Sequence, residues 1–374
     1  LRRIAIQSLL HDRGKFLAAL AGVAFAASLL LVQMGLYAGF LSMASGIIER
    51  TGGDLWVMPR GIEVIDNSEP MSGAARAAVS SHPCVRRVRA MIYTFVGMRK
   101  PRGTPDAVTV VGFEPGGDPI VPSTFHQGLP QDLHAPLRAA VDHLDLHKLQ
   151  IEGDPIGASL EVAGQTVHIA ATTEGMRSFT LVPFLFTEIQ NARRLLHLAD
   201  DRASYWVVDL KDRRCVEDVV RHVRRHADLD AVSTEAFIES TENHWVKGSG
   251  AGSALAFTAI LGLVVGVVIV GQTLYAVTRE HMRELATLKA LGASDGEIVG
   301  FVAWQASLLA VVGGGIGLAQ SLLIQASIAQ AGLVVLFTAP VVALGLGAVC
   351  FMCFVASLWS VRAVLQLEAA EVFK

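Results

Sequence analysis

"TREHMRELATLKALGASDGEI", residues 278–298, decides how this chain is read, because it sets a compact charged helix between two long runs with no charge at all. Uncharged residues run from Gly248 to Thr278 and again from Ile298 to Val361. Arg279, Glu280, Arg283, Glu284 and Lys289 would each cost about 2.5–3.5 kcal/mol at a bilayer centre, so this helix belongs in or below the headgroups. Met282, Leu285 and Leu288 share one face, and the charges spread over the rest. Gly292 stops the helix, and Ser294 with Glu297 three residues on forms a capping box for the next. The segment reads as a short, rigid, amphipathic lever between two spans.

Working outward, the 374-residue chain is 52% hydrophobic and only 17% charged, with the apolar residues gathered at its two ends. A helix needs about 20 apolar residues to cross the hydrocarbon. Residues 16–41, 253–277, 299–328 and 338–360 qualify as four spans, with a reversal near "QAGLVVLFTAP", where Gly332 and Pro340 punctuate the pattern. The first apolar run is too long for the core of a cleaved signal peptide, and it reads as a retained span. Arg2, Arg3, Arg13 and Lys15 precede span one, Arg279, Arg283 and Lys289 follow span two, and Arg362 and Lys374 follow span four. The distribution of basic residues predicts both termini and the 278–298 segment on the cytoplasmic side.

The expected organisation is a polytopic α-helical membrane protein with four transmembrane helices and a large α+β extracytoplasmic domain between helices 1 and 2. Its parts are a cytoplasmic amphipathic segment (1–15), helix 1 with its extension (16–48), the external domain (49–247) and helix 2 (248–277). The coupling segment (278–297), helix 3 (298–330), helix 4 (331–361) and a cytoplasmic tail (362–374) complete it. In the insert, 54–61, 107–115, 158–174 and 203–210 read as strands. Residues 187–198 and 212–229 read as helices, the second with Val216, Val219, Val220 and Val223 as an apolar stripe beneath a basic, solvated face.

Several chemistries are disfavoured. A net charge of −3 predicts no nucleic-acid surface. His134, His143 and His147 invite a metal hypothesis, but no further ligand completes a set, and the stretch reads as an exposed polar helix. Cys84 and Cys215 both lie in the external insert and could form a disulfide, but their wide separation in sequence says little about proximity, and the pairing is not the expected state. Cys350 and Cys353 have redox-motif spacing but fall inside span four, where they read as small packing residues. GxxxG pairs at Gly35 and Gly39, Gly262 and Gly266, and Gly313 and Gly317 have the spacing that lets helices approach closely in lipid. The spans carry no charged residue, which argues against a proton-coupled carrier or ion channel. There is no GxxxxGK[ST] loop, so the chain is expected to be a non-catalytic subunit without metal or cofactor of its own.

"RELATLKALGAS" (283–294) between spans two and three, together with a long insert between spans one and two, resembles the FtsX/MacB-type (type VII) ABC transporter permeases. "ALAGVAFAASLLLVQMGLYAGFL" (19–41), "GDLWVMPRG" (53–61), "ENHWVKGSGAG" (242–252) and "VVGVVIVGQTLYAVTREHMRELATLKALGA" (264–293) sharpen the likeness toward the DevC-type permeases of tripartite exporters. The tail "LQLEAAEVFK" departs from the family's Asp-Pro-Ala-Asp ending. The resemblance implies a homodimer in the bacterial inner membrane that couples ATP hydrolysis by two copies of a separate cytoplasmic ABC ATPase, which hold the ATP and Mg, to export. It implies a periplasmic adaptor (membrane fusion) protein and an outer-membrane TolC-like channel as further partners. It also assigns the ATPase contact to Arg279, Glu280, Met282, Arg283, Glu284, Leu285, Thr287, Leu288, Lys289 and Gly292. An FtsX-like regulator of a cell-wall hydrolase and a lipoprotein-release permease stay open as alternatives.

Overall fold

The computed structural model describes residues 13–114, 122, 124–178, 180–226, 228–248, 250–280, 287, 294–330 and 333–365. Two compact units divide it: residues 1–40 with 251–374, and residues 41–250.

In the first unit, helices α1 (Arg13–Thr51), α6 (Ala251–Glu280), α7 (Asp295–Gln330) and α8 (Ala339–Leu365) are long and apolar enough to cross a membrane. They are apolar on every side, as expected for helices whose surroundings are lipid tails or one another. Phe257, Ile260, Leu261, Val264, Val265 and Val268 line an exposed face of α6. The bundle core is rich in alanine, with Ala19, Ala26, Ala27, Ala306, Ala310 and Ala356 buried among Leu30, Leu309 and Met352. Small residues let helix backbones approach, which is the main source of packing energy when there is no water to exclude. Cys353 is buried in this core and Cys350 is exposed, and neither is bonded.

The fourth helix starts within a residue of the expected span 338–360, inside the wider segment 331–361. Residues 333–338 are not helical, and α8 begins at Ala339 with Pro340 in its first turn, where a missing N–H costs nothing.

Among its described residues the second unit holds ten strands in one mixed sheet of order β10-β1-β9-β2-β3-β8-β5-β7-β4, with β6 pairing β2 and β7. The strands are β1 (Leu55–Pro59), β2 (Val85–Arg99), β3 (Pro105–Phe113), β4 (Phe125–Gln127), β5 (Arg138–Asp142), β6 (Ser159–Val162), β7 (Gln165–Thr173), β8 (Phe184–Glu188), β9 (Tyr205–Leu210) and β10 (Leu229–Ser233). The unit's α-helices among the described residues include α2 (Gly73–Ser80), α3 (Ile189–Leu195), α4 (Val216–Val223) and α5 (Thr234–Asn243), which runs into a π-helical turn, His244–Gly248. β3·β8 and β5·β7 pair in parallel, and the other pairs are antiparallel.

Both faces of the sheet are buried, which explains the unbroken apolar run "LWVM" in β1. Leu55 and Val57 face one core with α2, α3 and α4, and Trp56 and Met58 face the other with Ile47 and Ile48 of α1 and Phe237 of α5. Val219 and Val223 of α4 are buried, with Val216 and Val220 packed beside them. On its outer side Arg221 pairs with Asp218 and Arg224 with Asp230.

Two expectations for the insert are corrected. Cys84, just before β2, and Cys215, just before α4, are joined in a disulfide with Cα atoms 6.3 Å apart. The histidines do not share a helix: His134 ends one 3-10 turn and pairs with Glu188, while His143 begins another and stacks on His126. Tertiary contacts with β7 and β8 dictate these positions, and the short turns flank β5. Among the described residues no group of three or more His, Cys, Asp or Glu side chains could hold a metal.

Candidate functional site: two joints and three glycine contacts

The last turns of α1 and the connector leading to α6 both fall within the insert unit, and each is fastened there by buried polar groups.

The first joint ends α1. Gly52 and Gly53 follow Thr51 with φ of 67° and 88°, the left-handed exit that closes many helices. At Gly53 a Cβ would also stand 2.5 Å from Cγ1 of Val207, so only glycine fits. The guanidinium of Arg89 donates to the carbonyl of Thr51 (3.3 Å) and pairs with Asp209 (3.1 Å). A buried cation at a helix C-terminus meets the negative end of the dipole and the orphan carbonyls together. Asp54, in the same loop, accepts from the backbone N–H of Leu210 and from Arg213, while Thr234 donates to the carbonyl of Gly53. Arg50 donates to the carbonyl of Gly175 (2.8 Å), and the next residue, Met176, is held through its N–H by buried Asp142 (2.7 Å).

The second joint precedes α6. Ser233 caps α5 through a hydrogen bond from the N–H of Ala236, and α5 then passes into the π turn. Single π turns are uncommon and concentrate at functional places. Trp245 in this turn donates its indole N–H to Asp66 (3.2 Å), which also accepts from the hydroxyl of Tyr93 (2.7 Å). Burial pushes the Asp66 carboxyl up from its ordinary value, and the bonds from Tyr93 and Trp245 pull it back. Removing one donor leaves a buried acceptor short of a partner, at about 1–3 kcal/mol. Trp245→Phe is therefore expected to keep the ring packing and loosen the turn. Amide exchange of residues 244–248 should speed up several-fold, with residues of β9 unchanged; equal protection in both proteins would remove Asp66 from this role.

Of the expected ATPase-contact residues, Arg279 and Glu280 lie in the last turn of α6, and Arg279 and Thr287 are exposed. Met282, Arg283, Glu284, Leu285, Leu288, Lys289 and Gly292 lie outside the described residues. The start of α7 shows the capping box: Glu297 accepts from the backbone N–H of Ser294 (2.8 Å), and its own N–H donates to the Ser294 hydroxyl (3.4 Å). The bonds that the Glu297 carboxylate accepts from the backbone N–H and then the hydroxyl of Ser294 hold it below its usual range.

The glycine pairs do three different things. Gly313 and Gly317 of α7 lie against α1, where a Cβ at Gly317 would stand 2.6 Å from Cβ of Ala27 and 2.8 Å from the carbonyl of Ala24. Ser321, one turn further, donates to the carbonyl of Gly317 (2.8 Å), and the carbonyl of Ser28 lies 3.3 Å from the same hydroxyl. This is a close helix–helix seam of small residues. Gly266 faces Met352 and Ala26, whereas Gly262 makes only ordinary contact with Leu29. Gly35 and Gly39 receive the non-helical segment 333–338, with a Cβ at Gly39 falling 1.8 Å from the carbonyl oxygen of Val334.

The sequence reading passed over Arg89, Asp209, Asp66 and Tyr93. Charged residues within apolar strands, "VRRVRAMIY" and "WVVDL", were the available signal for the first two. Nothing local marked Asp66.

Residues 256–369 match the FtsX-like permease C-terminal family, and residues 16–226, more than half of the chain, match the MacB-like periplasmic core domain. The chain belongs to the FtsX/MacB-type permeases, the transmembrane components of ABC transporters. Among solved structures, it is similar to the periplasmic region of MacB from Actinobacillus actinomycetemcomitans, at 9% identity and a TM-score of 0.38, covering 52% of this chain and 94% of that one. It is also similar to the extracellular domain of the noncanonic ABC-type transporter YknZ from Gram-positive bacteria, at 13% identity and a TM-score of 0.37, covering 48% and 98%. No curated protein matches the chain.

Proposed function

We propose that this permease works as a homodimer in an ABC exporter of the DevC type, passing the closure of two separate cytoplasmic ATPases to its periplasmic insert. A periplasmic adaptor and, through it, an outer-membrane TolC-like channel complete the assembly. The ATP and Mg belong to the ATPases, and this chain is not an enzyme. On this reading it is a multi-pass protein of the bacterial inner membrane with both termini cytoplasmic.

The observation that carries the proposal is the pair of joints. α1 runs unbroken for 39 residues and is locked at its end by Gly53, Arg89 and Asp209, while the connector to α6 is pinned by Trp245 to Asp66. A shift of either helix would thus reach the sheet through the buried Arg89–Asp209 pair at the first joint, costly to break, and through the half-buried Trp245–Asp66 bond at the second. The described part of the spans carries no charged side chain between Phe16 and Leu41, or within Gly252–Thr273, Val302–Gln325 and Ala339–Leu358. Spans of that kind suit transmission of motion better than carriage of an ion.

The ATPase contact is assigned to the segment from Arg279 to Gly292, with Glu284, Thr287 and Lys289 as polar contacts and Leu285 and Leu288 as apolar anchors. Glu284→Lys places like charge where complementary charge is needed, a change worth several kcal/mol at an interface. It should lower transport about tenfold or more, and uncouple ATPase stimulation, while the variant folds and inserts normally. Unchanged transport would sink the assignment. Co-purification of a cell-wall hydrolase in place of an adaptor would instead favour the regulatory role.

A further inference from the structure

The extension of α1 and helix α5 meet at one buried hydroxyl. Ser45 is wholly inaccessible, and its Oγ lies 2.9 Å from Oε1 of Glu242, 3.2 Å from Oε1 of Glu49 and 3.1 Å from the carbonyl of Leu41. A serine hydroxyl has one proton to give. Three acceptors around it are two more than it can serve; Glu49 is exposed and reaches water, while half-buried Glu242 crowds the same hydroxyl. The arrangement closes when a carboxyl supplies the missing proton: Glu242 donates to Oγ, and Oγ donates onward to Leu41 or Glu49.

We propose that Glu242, Ser45 and Glu49 form a proton-dependent clasp, in which protonated Glu242 holds the end of α1 against α5 and deprotonation releases it. This goes beyond the exporter reading. Only the consequence for coupling rests on that reading, and proton binding does not.

The charged groups around the clasp favour uptake. From α1 it faces Glu49, since the neighbouring Arg50 is turned to the carbonyl of Gly175. From α5 it faces Glu239, one turn back. Past the end of α5, His244 acts on Asp66, and Lys247 is exposed. Burial raises the Glu242 carboxyl from its ordinary value, the Ser45 bond lowers it, and Glu49 and Glu239 raise it further; none of these groups is basic. The closed clasp therefore binds more protons than the open one at pH values between the ordinary carboxylate value and the raised one. Closure is fully favoured below that window and is lost as pH rises through the raised value. In an exporter, acidification of the periplasmic side would stiffen the link between the helix entering the insert and the helix leaving it.

The test uses the full chain in lipid nanodiscs, with no ATPase present, so that its outcome is independent of the exporter reading. Amide exchange of residues 234–243 is followed from pH 5 to 7.5 with intrinsic exchange chemistry divided out, and residues 73–80 of α2 serve as reference. Wild-type protection of α5 should fall about tenfold for each unit by which the Glu242 value is raised, while α2 stays level. Glu242→Gln should stay protected throughout, and Glu49→Gln should shrink the fall. Infrared difference spectra of the wild type should show a protonated carboxyl band that titrates over the same range and is missing in Glu242→Gln. The same pH dependence in wild type and Glu242→Gln, or a band unchanged by the substitution, would overturn the proposal. If Glu242→Gln fails to fold, the wild-type infrared titration and Glu49→Gln decide: no titrating band, together with an undiminished fall, overturns it equally.

Discussion

Gly39→Val is expected to cost this protein most of its folded yield. The β-carbon would stand 1.8 Å from the carbonyl oxygen and 2.7 Å from the carbonyl carbon of Val334, both backbone atoms that no rotamer change can move aside. Segment 333–338 is not free to retreat, because its backbone is bonded to the helices around it. The N–H of Leu336 donates to the carbonyl of Gly35 (3.0 Å), and the side-chain amide of Gln325 donates to the carbonyl of Val335 (2.9 Å). Non-helical backbone beside lipid persists only where protein satisfies its polar groups. A bulkier residue at 39 thus adds overpacking, typically about 1–3 kcal/mol, to the loss of hydrogen bonds. Monodisperse yield in detergent and the thermal midpoint should both collapse. Gly315→Ala, on α7 with nothing within 4 Å of its added carbon, should behave as the wild type. A Gly39→Val protein as stable as Gly315→Ala would mean that segment 333–338 does not dock on α1.

Reduction of the Cys84–Cys215 bond is the second large effect. The bond spans 131 residues and ties the start of β2 to the turn before α4. Closing a loop of that size removes chain entropy from the unfolded state worth about 4–5 kcal/mol on the entropic account. For a unit of roughly 200 residues each kcal/mol moves the midpoint by about 2–4 °C. Cys84→Ser with Cys215→Ser should therefore lower the midpoint of the insert by about 10 °C, seen by calorimetry of the full protein. The same loss should follow mild reductant in the wild type and be absent in the double variant. A shift below about 2 °C would show that the unfolded chain gains little from the cut. Both cysteines pack at the edge of the core that includes Val219 and Val223, so the serine variants also test packing; reductant on the unmutated protein separates the two causes.

What was legible in advance followed from local rules. The four spans could be counted because hydrocarbon forces each backbone group to be satisfied inside its own helix, so that uninterrupted apolar length is itself the signal. β1, β3 and β9 were legible for a similar reason: "LWVM" and "YWVV" are short apolar runs, the mark of strands buried on two faces. β2 was not, although it is the longest strand. Its first half carries Arg86, Arg87 and Arg89, and only pairing with β9 and β3 makes a 15-residue strand of it. Helix α5 was likewise illegible, since "TEAFIESTEN" has too few apolar residues to announce itself until Phe237 finds Trp56 and Tyr205.

The glycine pairs mark the boundary between the two kinds of knowledge. By itself the sequence determined that Gly35, Gly39, Gly313 and Gly317 stand one helical turn apart on apolar helices, because that spacing is a property of one helix. Only the tertiary structure decided that the first pair receives a non-helical segment and the second a neighbouring helix. The same holds for the joints: Asp66 meets Trp245 across 179 residues, Arg89 meets Asp209 across 120, and Ser45 meets Glu242 across 197. Such partners are chosen by the folding of the whole sheet, which brings distant polar groups into a common dry place where each must find the other.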